Sequence, residues 1–205
     1  MTALTFDALC QRWPHANHTL VEGMVATAPP VFSKYGLTTP TEQADLLAQI
    51  SEETGGGTAL EENLNYSASR LCQVWPRQFP SLSAALPYAY SPRALADRVY
   101  GGRGGNAPGT DDGWNFRGRG GIQITFRGNY TLIKELTGLD VLSNPGLLSD
   151  PEHLLECAAA WWKHAGLNKD ADSGNFRQET LVLNGGYTNL ALRERWRAIG
   201  RSELC

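Results

Sequence analysis

Apolar residues recur along much of this chain at helical spacing, and the breaks between them carry helix punctuation. The clearest start is Thr39-Pro40-Thr41-Glu42: Thr39 can cap, Pro40 suits the first helical position and Glu42 completes a capping box. This helix should run to about Thr54, with Gly55 ending it. Asp150-Pro151-Glu152 opens another by the same logic, with Leu154, Leu155, Ala158, Trp161, Trp162 and Ala165 as its apolar face and Gly166 as its stop. Further helices are predicted from Ser91-Pro92 through Val99, and over Phe126 to Thr137, Phe176 to Leu183 and Leu190 to Ile199. Alternating strand patterns are scarce and no 20- to 50-residue repeat is present, so the expected fold is mainly α, with little or no β-sheet.

Composition narrows this. A chain of 205 residues, 41% apolar and 19% charged, can bury one good core, so a single domain over 1–205 is expected. Its 22 glycines and 11 prolines fall in clusters, which suggests ordered helices joined by long loops. Nine of the glycines lie between Gly101 and Gly121 with a proline and two adjacent aspartates, a density of turn chemistry that favours a structured functional loop. A net charge of -3 argues against a partner that presents a phosphate backbone, so no nucleic acid is expected. No run approaches the length of a membrane span, and the first residues lack the basic head and apolar core of an export signal; synthesis in the cytoplasm is expected. Cys10, Cys72, Cys157 and Cys205 are widely spaced with no metal-ligand pattern, so reduced thiols, no metal and no cofactor are expected.

One carboxylate stands out by position. Leu46, Ile50 and Glu53 lie at i, i+4 and i+7, so Glu53 continues an apolar stripe, while Glu52 should point away beside Asp45 and Ala48. Partial burial at the negative end of a helix dipole would hold a proton on Glu53, as a general acid requires. A rim position reaching water is the plain alternative. After a glycine-rich turn, Glu61-Glu62-Asn63-Leu64-Asn65-Tyr66 can fold back opposite the helix end and offer a second carboxylate. Two carboxyls across a cleft are what glycoside hydrolysis needs; spacing alone does not separate them from two solvated glutamates.

The motifs Ala48-Gln49-Ile50-Ser51-Glu52-Glu53-Thr54-Gly55-Gly56, Leu60 to Ala68 and Arg117-Gly118-Arg119-Gly120-Gly121-Ile122-Gln123-Ile124-Thr125 resemble glycoside hydrolase family 19, most closely its phage-type endolysins. Asn144-Pro145, Asp150-Pro151 and Leu183-Asn184-Gly185-Gly186 extend the match in order, from about Thr38 to Arg197. The resemblance implies a lysozyme-like, two-lobed helical fold and an inverting attack by water on a β-1,4 bond to an N-acetylated sugar. It matches Glu53 to the general acid and Glu62 to the base, with Glu61 as the fallback if the alignment is gapped. Thr125 matches the hydroxyl that helps hold the water, although it could equally cap the helix after it. Gln123, Asn129 and Asn184 match residues that bind sugar hydroxyl and acetamido groups. Tyr66 and Trp114 could stack on sugar faces or pack in the core.

Two departures from the family pattern stand out. Glu52 occupies a position that is commonly His, adding negative charge beside Glu53, and Gly57 stands where Phe is common, which predicts a looser turn. The segment Glu61 to Ala68 has the wording of the phage-type enzymes, so the expected substrate is the peptidoglycan glycan strand. Chitin is the alternative, and a non-catalytic glycan-binding domain a more distant one. The expected setting is a monomer acting in the periplasm or on the cell wall, either as a phage lysin or as an injected toxin, which would then have an immunity protein as partner.

Overall fold

The computed structural model describes residues 4–204; Met1 to Ala3 and Cys205 lie outside them. The helices in chain order are α1 (Phe6–Arg12), α2 (His18–Tyr35), α3 (Pro40–Glu53), α4 (Ala68–Val74), α5 (Leu82–Ala85), α6 (Pro92–Tyr100), α7 (Asp112–Asn115), α8 (Arg127–Thr137), α9 (Leu154–His164), α10 (Leu167–Asp172), α11 (Phe176–Asn184) and α12 (Leu190–Leu204). Among the described residues the β pairing consists of isolated bridges, Glu61 with Arg119 and Arg119 with Ile124. The fold is mainly helical, as expected. Cys10, Cys72 and Cys157 form no disulfide, and no described helix is long and apolar enough to cross a membrane.

The capping box of α3 forms as its sequence dictates: Thr39 Oγ1 accepts the Glu42 N–H at 3.2 Å and the Glu42 carboxylate accepts the Thr39 N–H at 2.7 Å. Such a cap stabilises a helix start by about 1 kcal/mol. The expected helix from Asp150 begins instead at Leu154, because the Asp150 carboxylate accepts the Glu152 N–H at 2.9 Å and shapes a tight turn first. The long helix α2 has no counterpart among the sequence expectations. Pro29 and Pro30 read as breakers there, yet both lie on its exposed side, while Val21, Met24, Ala28 and Phe32 are buried. Packing of that face holds the helix through the two prolines.

Two apolar cores result. The larger gathers α1, α2, α3, α8, α9 and α10 around Trp13, Met24, Leu46, Leu47, Ile50, Tyr130 and Trp162. The smaller joins Leu64, Leu71, Phe79, Leu95 and Val99, with Tyr66, Tyr100 and Trp114 packed against it. The segments 60–66 and 101–126 run between the two cores. Within 101–121 the chain is ordered around α7 and the buried Asn106, Asp112, Arg117 and Arg119.

The turn after α3 is tight rather than loose. Gly55, Gly56 and Gly57 all have positive φ, at 56°, 68° and 77°. A Cβ on Gly57 would sit 2.8 Å from Trp13 Cε3 and 3.1 Å from Ala16 Cβ. A larger residue has no room here, so Gly57 fixes the approach of the turn to the core where the sequence had suggested slack.

Candidate active site

Glu53 is the last residue of α3. Leu46 and Ile50 are fully buried, as the apolar stripe predicts, but so are Asp45, Ala48, Gln49 and Ser51, because α12 packs along the other side of α3. The expected solvent face beside Asp45 and Ala48 is therefore absent. Glu52 turns aside, accepting a hydrogen bond from Asn189 Nδ2 at 2.7 Å. The Glu53 side chain is 16% exposed, and its carboxylate meets a buried cation rather than apolar surroundings: Arg193 Nη2 lies 2.5 Å from Glu53 Oε1. The helix end is secured below it, where Thr54 Oγ1 donates to the Ile50 carbonyl at 2.7 Å and accepts the Gly57 N–H at 2.9 Å.

Glu61 and Glu62 point to different surroundings. Glu61 is salt-bridged to Arg117 and to Arg119. Glu62 is half-buried; its N–H donates to the Gly118 carbonyl at 2.8 Å, and its Oε2 accepts the Gly118 N–H at 3.3 Å. Its Oε1 accepts the Tyr100 hydroxyl at 2.6 Å. Burial, then the negative charge of Glu62, push the Tyr100 hydroxyl well above the ordinary phenol range, so it remains a donor.

Gly118 is where the second carboxylate meets the Gln123-Ile124-Thr125 segment. A Cβ there would lie 2.9 Å from Gln123 Oε1, 3.3 Å from Thr125 Oγ1 and 3.4 Å from Glu62 Cβ, so these three side chains converge on the space that glycine leaves open. Gln123 has φ of 51° and donates through Nε2 to the Ala59 and Gly120 carbonyls, both at 3.3 Å. Thr125 Oγ1 donates to the Gln123 carbonyl at 3.0 Å. It does not cap α8, whose N-cap is Phe126 without a side-chain bond.

Asn129 donates to the Thr125 carbonyl at 2.8 Å and lines, with Ile122, Gln123, Thr125, Trp161 and Leu183, a cavity of about 230 Å³. Asn184, the exposed residue after Leu183, ends α11 before Gly185. The aromatic candidates are tied to the smaller core. Tyr66 meets Trp75 edge to face at 5.5 Å, and one face of Trp114 is covered by the Arg117 guanidinium at 3.8 Å.

The sequence motifs assign no role to Arg193, Arg197, Gln49 or Tyr100. A signal was there for three of them. Asp45, Gln49 and Glu53 repeat every four residues on α3, as do Arg193 and Arg197 on α12. In the structure Arg197 binds Asp45 through Nε at 2.6 Å and Nη2 at 2.8 Å, while Arg193 binds Gln49 and Glu53. Tyr100 carried no such pattern.

No protein-family model matches the chain. A glycosyl hydrolase family 19 domain-containing protein of Haemophilus influenzae is 33% identical over 192 residues, covering 93% of this chain and 90% of the relative. Among solved structures, chitinase C of Streptomyces griseus aligns over 99% of this chain and 93% of its own, at 19% identity with a TM-score of 0.61. A mutant of chitinase C aligns over 99% of this chain and 77% of its own, at 18% identity with a TM-score of 0.66. The helical fold is similar to that of these chitinases, and the extent and identity of the match to the Haemophilus protein show that this chain belongs to glycoside hydrolase family 19.

Proposed function

We propose that the protein hydrolyses β-1,4 bonds in the glycan strand of peptidoglycan by a single inverting displacement, with Glu53 as general acid and Glu62 as general base. One observation carries the assignment of the base. Glu62, Thr125 and Gln123 meet at Gly118, whereas Glu61 is salt-bridged to two arginines. A base must hold water against the sugar carbon, and a carboxylate beside a hydroxyl that both donates and accepts is equipped to do so. Tyr100 and the Gly118 N–H orient the Glu62 carboxylate, and Arg193 orients that of Glu53.

Peptidoglycan as substrate rests on the wording of Glu61 to Ala68, which is that of the phage-type enzymes. The solved relatives named above are chitinases, which makes chitin the second reading. We place the site of action in the periplasm or on the cell wall, reached by release or delivery, and the whole described chain serves as one catalytic domain.

The test compares turbidity loss of permeabilised Gram-negative cells with release of oligosaccharides from chitin, and follows the anomeric configuration of fresh products by NMR. Lysis with inverted products is expected. Cleavage of chitin without lysis would replace the substrate, and retained configuration would overturn the mechanism. Glu53→Gln should lower turnover by about 10²–10⁴-fold with the fold intact.

A further inference from the structure

Arg193 sits 3% exposed between α3 and α12, and each of its terminal groups has a separate partner. Nε donates to the Thr188 carbonyl at 3.2 Å, Nη1 to Gln49 Oε1 at 2.6 Å and Nη2 to Glu53 Oε1 at 2.5 Å. Gln49 is fully buried, and its other end donates from Nε2 to Thr180 Oγ1 at 3.0 Å. Thr180, also fully buried, donates onward to the Phe176 carbonyl at 3.1 Å. The direction of this chain follows from chemistry: a guanidinium only donates, so the Gln49 oxygen must face Arg193 and its amide nitrogen must face Thr180, which can accept while donating.

We infer that Gln49 and Thr180 are positioning residues that hold the Arg193 guanidinium against Glu53; this rests on the proposed role of Glu53 as the acid. An amide suits position 49 because it supplies an acceptor without a second negative charge. A carboxylate there would share the one cation that Glu53 uses. An apolar residue would remove one of the three anchors of the guanidinium, leaving the buried Nη1 without its acceptor, and would take from Thr180 the N–H it accepts. Asp45, Arg197 and Glu179 also lie in this interface, and Glu52 is held by Asn189.

The experiment measures kcat, KM and the pH–rate profile of soluble glycan hydrolysis for Gln49→Glu, Gln49→Leu, Thr180→Val and Glu53→Gln, with melting curves for each. Gln49→Glu should keep KM and shift the alkaline limb of the kcat profile upward by on the order of one pH unit, since a new negative charge competes for the cation. The acid limb, governed by the base, should not move. Gln49→Leu should lose about tenfold in kcat at unchanged KM, and Thr180→Val less in the same sense. A purely structural role would lower the melting temperature while leaving the folded enzyme as in the wild type; an unshifted profile in Gln49→Glu, or a wild-type kcat in Thr180→Val, overturns the inference. Substantial activity in Glu53→Gln would instead remove the acid assignment, whatever the Gln49 variants do.

Discussion

Glu179 has no exposure, and neither of its carboxylate oxygens meets an N–H or hydroxyl donor. It faces Asp45, whose two oxygens are taken by Arg197. Burial first, and then the charge of Asp45, push the Glu179 carboxyl well above its ordinary value of 4.5, against a smaller opposing pull from Arg197. With a proton on Glu179 the Asp45–Arg197 pair is balanced; without it, two carboxylates share one guanidinium. An acid whose folded value is raised contributes stability that is complete below its unfolded value and is lost as pH rises towards the folded one. The loss runs at about 1.4 kcal/mol per pH unit, so from the ordinary value to neutrality it amounts to about 3 kcal/mol. Glu179→Gln keeps the shape and can still donate to Asp45, but has no proton to lose. Urea unfolding of both proteins from about pH 5 to about pH 8 should show the variant gaining on the wild type by about 1.4 kcal/mol per unit. Comparing the two cancels the titrating groups that lie away from the Glu179–Asp45–Arg197 cluster. A difference that stays flat across this range would refute the reasoning, because it would mean that Glu179 loses its proton equally in the folded and unfolded states.

Other expectations follow from single contacts. Glu62→Gln should abolish turnover with binding retained, and added azide should rescue it with a glycosyl azide product; Glu61→Gln should cost far less, and the reverse order in steady-state kinetics would move the base by one residue. Tyr100→Phe removes the donor to Glu62 and should lower kcat about tenfold at unchanged KM, a loss worth about 1.4 kcal/mol of transition-state stabilisation. Gly57→Ala combines a left-handed backbone with a contact against Trp13 and should cost about 2–4 kcal/mol in urea unfolding. Arg197→Met leaves the fully buried Asp45 without its cation and should cost about 3–5 kcal/mol in the same assay.

Local chemistry was legible where one short stretch of chain decided the outcome. Thr39-Pro40-Thr41-Glu42 contains all the groups of its capping box, so α3 begins where the sequence says it must. Ser91-Pro92 and the pattern from Phe126 to Thr137 likewise placed α6 and α8 to within a residue. The motifs around Glu53, Glu62 and Gln123 to Thr125 led to the family, because their order along the chain is itself the information. Tertiary structure decided the rest. The prolines of α2 forbid a helix by local propensity, and only burial of the opposite face overrides them. Gly57 reads as slack in one dimension, and becomes a close-packed position only once Trp13 and Ala16 arrive from elsewhere in the chain. Arg193 and Glu53 are 140 residues apart, so no local pattern states that one will neutralise the other. The polar residues on α3 looked like a solvated face until α12 covered them, since helix periodicity says which residues share a face but not what that face will meet.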